Sequence, residues 1–144
     1  MAITQAVCSS FKQELLGGVH NFTASTGDVF KIALYTSAAT LDSTTTVYSS
    51  TNEASGTGYT AGGNTLTTAT GSVFISGTTA YIDFDDSTWA SSTISAAGAL
   101  IYNSSKSNKA VLVLSFGGTY SSTSGNFTVQ FPAATSSTAV LTLT

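Results

Sequence analysis

Beyond residue 28, apolar and polar side chains alternate with a period of two, and this pattern constrains the fold more than any other feature of the chain. Residues 29–36 (VFKIALYT) put Phe30, Ile32 and Leu34 on one face. Residues 71–76 and 79–84 flank Ser76-Gly77-Thr78 and read as a hairpin, with Ile82 and Phe84 facing in and Asp83 facing out. Residues 99–102 and 110–116 are apolar on both faces, as central strands are, and the polar turn 103–109 joins them. In 126–131, Phe127, Val129 and Phe131 point one way and Asn126, Thr128 and Gln130 the other, until Pro132 ends the strand. Residues 139–143 supply a last strand, and 47–50 and 64–70 are two short candidates. The pattern predicts a mainly β fold. It is an antiparallel β-sandwich, jelly-roll or immunoglobulin-like, of about seven or eight strands with one N-terminal α-helix.

The helix is expected over residues 4–16, within an N-terminal unit of residues 1–18. Ile3, Val7, Phe11 and Leu15 recur every fourth residue, with Cys8 beside them. Thr4 is placed to cap the helix, Ile3 and Cys8 to staple it, and Gly17-Gly18 to end it. A helix this short needs its stripe packed on something. Residues 37–70 are a different matter: Ser/Thr runs and the cluster GTGYTAGG at 56–63 read as a long loop or arm within one domain spanning 1–144. No segment repeats another, which argues against a solenoid or a fibre shaft.

Charge excludes several functions. Charged residues are 8% of the chain, arginine is absent, and the four lysines, at 12, 31, 106 and 109, are scattered. Nucleic-acid binding needs clustered cations, and so does attachment to an anionic membrane surface, so neither partner is expected. With 23 serines and 26 threonines, hydroxyl groups hydrate this surface where charges ordinarily do. Cys8 is the sole cysteine, so neither an intrachain disulfide nor a thiolate cluster can form. The opening MAITQAVCSSFKQELLGG has no basic n-region, so no secretory signal is expected, and the sequons at Asn21, Asn103 and Asn126 read as chance. No apolar run reaches the ~18 residues of a helical membrane span.

The candidate chemistry is thin. His20 would have to serve any Ser-His-Asp triad, but no G-x-S-x-G elbow accompanies it, and a histidine bonded to local backbone is the plainer reading. Asp83, Asp85 and Asp86 could gather a hard cation, yet they lack the spacing of a calcium loop and fit a strand end with capping carboxylates. GTGYTAGG lacks the Lys-Ser/Thr of a phosphate loop, so its glycines read as turn formers. Tyr35, Tyr48, Tyr59, Tyr81, Tyr102, Tyr120 and Trp89 are dispersed, as core edges and subunit contacts are. Cys8 reads as a buried small hydrophobe. No catalytic, metal or cofactor residue is assigned, and no enzymatic activity is expected.

Five ordered blocks carry a resemblance. They are SFKQELLGGVHNF at 10–22, FKIALYT at 30–36, Asn52-Glu53 with Gly56-Thr57-Gly58-Tyr59, ALIYN at 99–103, and FTVQFP at 127–132. Together they resemble small virion structural proteins of tailed bacteriophages. Among these, capsid decoration or cement proteins of cyanophage-type viruses are the nearest role. The resemblance implies a location on the virion, on the capsid surface in preference to the tail. The implied partner is the major capsid protein or another virion protein, and a tail adaptor or receptor-binding tip is the alternative. It transfers no catalytic residue. A repeating shell favours a cyclic homo-oligomer, most simply a trimer. Ile3, Val7, Phe11, Leu15, Tyr48 and Tyr59, from the N-terminal stripe and the 37–70 arm, are the expected interface residues. Phe11→Asp sets an unpaired charge on the stripe at a cost on the order of several kcal/mol. Loss of the folded or assembled state by circular dichroism and size-exclusion is the expected result.

Overall fold

The computed structural model describes residues 2–144, with side chains outside 69–72. In chain order its elements are β1 (Ala6–Val7), α1 (Ser9–Leu16), β2 (Phe30–Tyr35), β3 (Asn64–Thr65), β4 (Thr68–Ser76), β5 (Thr79–Phe84), β6 (Ser87–Ser92), β7 (Ser95–Asn103), β8 (Lys109–Ser121), β9 (Gly125–Val129) and β10 (Leu141–Leu143). A five-stranded sheet runs β1-β8-β7-β2-β3, a three-stranded one β10-β5-β4, and β6 pairs with β9. Every strand pairing is antiparallel. The fold is therefore mainly β, with antiparallel sheets and one short helix near the N-terminus, as the alternation predicts.

The centre of the large sheet follows from sequence. In β2, Ile32, Ala33, Leu34 and Tyr35 are all buried, and β7 is buried from Ala96 to Asn103. Side chains such as Ile32, Leu34, Leu100 and Ile101 each contribute about 1.5–3 kcal/mol on burial. Aromatic rings then join the layers. Phe22 stacks on Phe30 at 4.3 Å, Phe30 of the large sheet meets Phe84 of the small one at 6.0 Å, and Phe116 of β8 meets Phe127 of β9 at 6.3 Å. Hydroxyls also bridge strands, in the role charge pairs ordinarily fill: Thr88 to Thr128 at 2.9 Å and Ser95 to Ser121 at 2.6 Å, each pair directly opposed in register.

The N-terminus departs from expectation. The helix covers Ser9–Leu16 and not 4–16, and Ala6–Val7 is a strand on the edge of β8 opposite Val113 and Leu112. Thr4 is no cap: its N–H donates to Leu41, and Cys8 occupies the N-cap without a side-chain bond. The free edge of β8 offers Ala6–Val7 a ladder, and β-branched Val7 fits a strand better than a first helical turn. At the other end, Gly18 is left-handed at φ +73°, and its N–H and that of Val19 return to Leu15 and Glu14, which closes the helix.

Two further differences concern polar segments. β6 (STWASS) was invisible to hydrophobic pattern because serines share its inward face with Trp89: Ser87, Trp89 and Ser92 are buried. Residues 37–63 hold no strand, and Val47 makes only an isolated bridge to Lys109. Yet this stretch is not a free arm. Ala39, Leu41 and Ala54 are buried, and main-chain bonds run from Ala54 to Leu34 and from Tyr48 to Asn108.

Gly63 shows how tightly that stretch lies on the sheet. It sits at φ +75°, and an added Cβ would overlap the carbonyl of Ile32 and come within 2.8 Å of Ala33 Cα. Gly63→Ala is expected to cost about 3 kcal/mol and to lower Tm by about 10 °C. Gly77→Ala, at φ +60° in the β4–β5 turn with nothing within 4 Å, should cost about 1 kcal/mol. Thermal melts of the two variants check the contrast.

Candidate functional site

Polar side chains gather at two places, both inward. The first lies where α1 and the chain after it meet the end of β7. The His20 side chain is 0% exposed and sits 4.9 Å from the Phe11 ring. Asn103 Nδ2 donates one hydrogen to His20 Nδ1 at 2.9 Å and the other to Asp28 Oδ2 at 2.8 Å. An accepting Nδ1 places the proton on Nε2, which donates to Glu14 Oε2 at 3.2 Å. Lys109 Nζ, 3.3 Å from Glu14, and Lys106 Nζ, 3.7 Å from Asp28, close the outer side. Desolvation lowers the His20 pKa against the pull of Glu14, so the ring is neutral at pH 7. Hydrogen bonds from Asn103 and the Asn21 amide hold the Asp28 carboxyl below its ordinary value, against desolvation that would raise it.

The expected bond from His20 to local backbone is thus replaced by two side-chain partners, Glu14 on α1 and Asn103 on β7. Position 103 is too distant in sequence for local pattern to reveal. Both ring nitrogens are engaged within the protein, so neither is left for a serine or a substrate.

The second gathering is built on Glu53, the sole charged residue between Asp42 and Asp83. Its Oε1 accepts from Tyr59 Oη at 2.6 Å and from the Gly62 amide at 2.7 Å, and its Oε2 accepts from Tyr48 Oη at 2.7 Å. Tyr59 Oη in turn accepts from the Leu34 amide at 2.9 Å. Tyr102 stacks on Tyr48 at 4.7 Å and donates to the Gly62 carbonyl at 2.7 Å. Burial first, and the Glu53 carboxylate second, push the phenols of Tyr48 and Tyr59 well above their ordinary pKa, so both remain donors. Sequence reading missed this knot. The available signal was an isolated glutamate in an otherwise uncharged run of hydroxyls and glycines.

The three clustered aspartates do not converge. Asp83, expected to face out, is 3% exposed, and its Oδ1 accepts from the Phe84 amide at 2.9 Å. The segment before β10 turns this position inward, with the Val140 amide bonded to the carboxylate, and desolvation raises its pKa. Asp85 and Asp86 are exposed, and Asp86 Oδ1 caps the Phe131 amide at 2.8 Å. Among the described residues, no three His, Cys, Asp or Glu side chains group to hold a metal. Cys8 is fully buried, and burial pushes its thiol up to about 11.

Of the six residues expected at an interface, one is sealed in the core and five keep part of their surface exposed. Phe11 is buried at 1%, while Ile3, Val7, Leu15, Tyr48 and Tyr59 are partly buried against the same core. Phe11 is therefore withdrawn from any partner that leaves the core intact. An open groove of about 880 Å³ lies elsewhere, lined by Phe116, Tyr120, Phe127, Phe131 and Pro132, with Asn126 and Gln130 at hand. No charged side chain lines it. No described helix is long and apolar enough to cross a membrane. Comparison of the chain with protein-family models, curated proteins and solved structures returns no match.

The His20 network sets a pH dependence with a definite sign. A lowered folded pKa leaves its stability fully present above the ordinary value of 6.5. As pH falls below that, the unfolded chain takes the proton first and stability drops, until the folded value is passed. Asp83, with its raised carboxyl, acts in the opposite sense at lower pH. Melts of the Asp83→Asn protein from pH 8 to 5 should show Tm falling, and adding His20→Gln should flatten that slope.

Proposed function

We propose that this chain is a structural component of a tailed-phage virion, most specifically a decoration or cement protein that stabilises the head shell. One observation carries the reading. The sequence blocks that resemble phage structural proteins fall on residues that build the scaffold. The first block supplies Phe11, Glu14, His20 and Phe22 to the first polar network and the aromatic core. The second is β2 itself, the third is the Glu53–Tyr59 knot, the fourth ends β7 at Asn103, and the fifth takes in the end of β9 from Phe127. A signature concentrated on packing residues describes a protein selected for its shape. An enzyme's signature concentrates on exposed reactive groups.

Physical economy supports the same role. A shell component meets many identical sites and must stay folded without consuming anything. Sheets tied by neutral hydroxyl pairs and largely covered carboxylates lose little to salt screening, because a neutral pair carries no charge to screen and the carboxylates are drawn in from solvent. The near-absence of surface charge makes its faces inexpensive to desolvate against a neighbour.

Copy number separates the shell from the tail. Quantitative mass spectrometry of purified particles should find on the order of hundreds of copies, with density on the capsid surface by cryo-electron microscopy. A handful of copies moves the protein to the tail as an adaptor or tip. Absence from the particle, or turnover of cell-surface glycan that Asp83→Asn abolishes, overturns the proposal.

A further inference from the structure

The sheet of β10, β5 and β4 extends past the core that covers it. Register puts Val73, Ile82 and Leu141 in one cross-strand row, and Ile75, Ala80 and Leu143 in the next, on the same face. Ile82 and Leu141 are buried, but Val73 is 53%, Leu143 56% and Ile75 77% exposed. The opposite face mixes one aromatic pair, Phe74 stacked on Tyr81 at 5.1 Å, with Thr142, Ser76 and Thr79. This end of the sheet therefore has one apolar face and no charge on the other. Its outer strand, β4, is an edge nine residues long. Natural edges of that length carry lysine, proline or an inward charge to block pairing. From Ala54 to Ile82 the chain has none of these.

We infer that β4 is a self-association edge: two copies of this chain pair their β4 strands antiparallel about a two-fold axis at Phe74. That register sets Phe74 opposite Phe74 and Val73 opposite Ile75 of the second copy. The apolar face of Val73 and Ile75 continues across the axis, the Phe74 rings meet on the other side, and two three-stranded sheets become one of six. The occupant follows from charge and symmetry. Each copy carries a net charge of −3, so two copies approach most easily through a patch with no charge, and this is such a patch. A foreign partner is ordinarily selected by complementary charge, and the edge offers none to select with. Antiparallel pairing of one segment with itself is also self-complementary, as a closed two-fold contact requires. The inference is independent of the virion assignment. It concerns a two-fold contact and stands apart from any three-fold contact on a shell.

The test uses the full chain in solution. Sedimentation velocity should show a dimer, and Ile75→Lys should raise its dissociation constant at least about tenfold. Ile75 is a solvent-facing position, so the circular dichroism spectrum should be unchanged. Phe74→Cys gives a second readout. Opposed Cβ atoms in an antiparallel pair lie about 4.5–5.5 Å apart, close enough to bridge, and Cys8 is sealed in the core. Mild oxidation should therefore trap a covalent dimer. A chain monomeric up to about 1 mM overturns the inference. So does a dimer that Ile75→Lys leaves as tight as before, or one that Phe74→Cys fails to cross-link.

Discussion

The Glu53 carboxylate holds the strand-free residues 37–63 in place. Three donors converge on it, and one of them, Tyr59, also receives the Leu34 amide from the edge of β2. Residues 37–63 have almost no ladder of their own, so their backbone groups and their buried Ala39, Leu41 and Ala54 depend on being drawn onto the sheet. A carboxylate saturated by two phenols and an amide is a strong anchor, because charge-assisted hydrogen bonds are roughly twice as strong as neutral ones. The anchor also explains the glycines around it. Only a residue without a Cβ lets the chain at Gly63 lie against the Ile32 carbonyl. The loop, the tyrosines and the glycine cluster are thus parts of one device.

How much of this the sequence disclosed depends on which force decided each element. In β9 burial alternates, and the period of two located the strand and its inward residues; β7 and the first half of β8 are buried without interruption, and their apolar runs located them. The exceptions are instructive. Asp83 obeys the alternation in position but not in environment, because a later segment folds over it, and local pattern carries no information about what covers a face. Val7 matched a helical stripe, yet the free edge of β8 claimed it. An i, i+4 coincidence over four residues is weak against a ready ladder. β6 was missed because its inward residues are mostly serines. Their burial is satisfied by partners such as Ser122 and the carbonyls of Trp89 and Gly125, which only the folded arrangement supplies. The His20 network was illegible for the same reason: His20 to Asn103 and Asn103 to Asp28 are long-range pairs, and each residue alone looks ordinary. The Glu53 partners lie nearby, at positions 48, 59 and 62, and only the isolated glutamate marked them.

A chain with 8% charge manages polarity by sealing it. Its covered carboxylates have hydrogen-bond partners, hydroxyls pair across strands, and two of its four lysines, Lys106 and Lys109, sit over carboxylates near the β7–β8 turn. What remains outside is a neutral hydroxyl coat. The coat is interrupted by the uncharged aromatic groove beside β9 and by the apolar end of the β4–β5 hairpin.

The sparing use of lysine has a consequence for digestion. Cleavage after basic residues can begin only at positions 12, 31, 106 and 109, with nothing between Lys31 and Lys106. Of these four, Lys31 and Lys109 lie within ladders, and Lys106 and Lys109 lean on acidic neighbours. A trypsin-like protease thus meets a fold with few points of entry, whatever its thermodynamic stability. In an environment rich in such enzymes, durability comes from the alphabet of the chain as much as from the depth of its energy well.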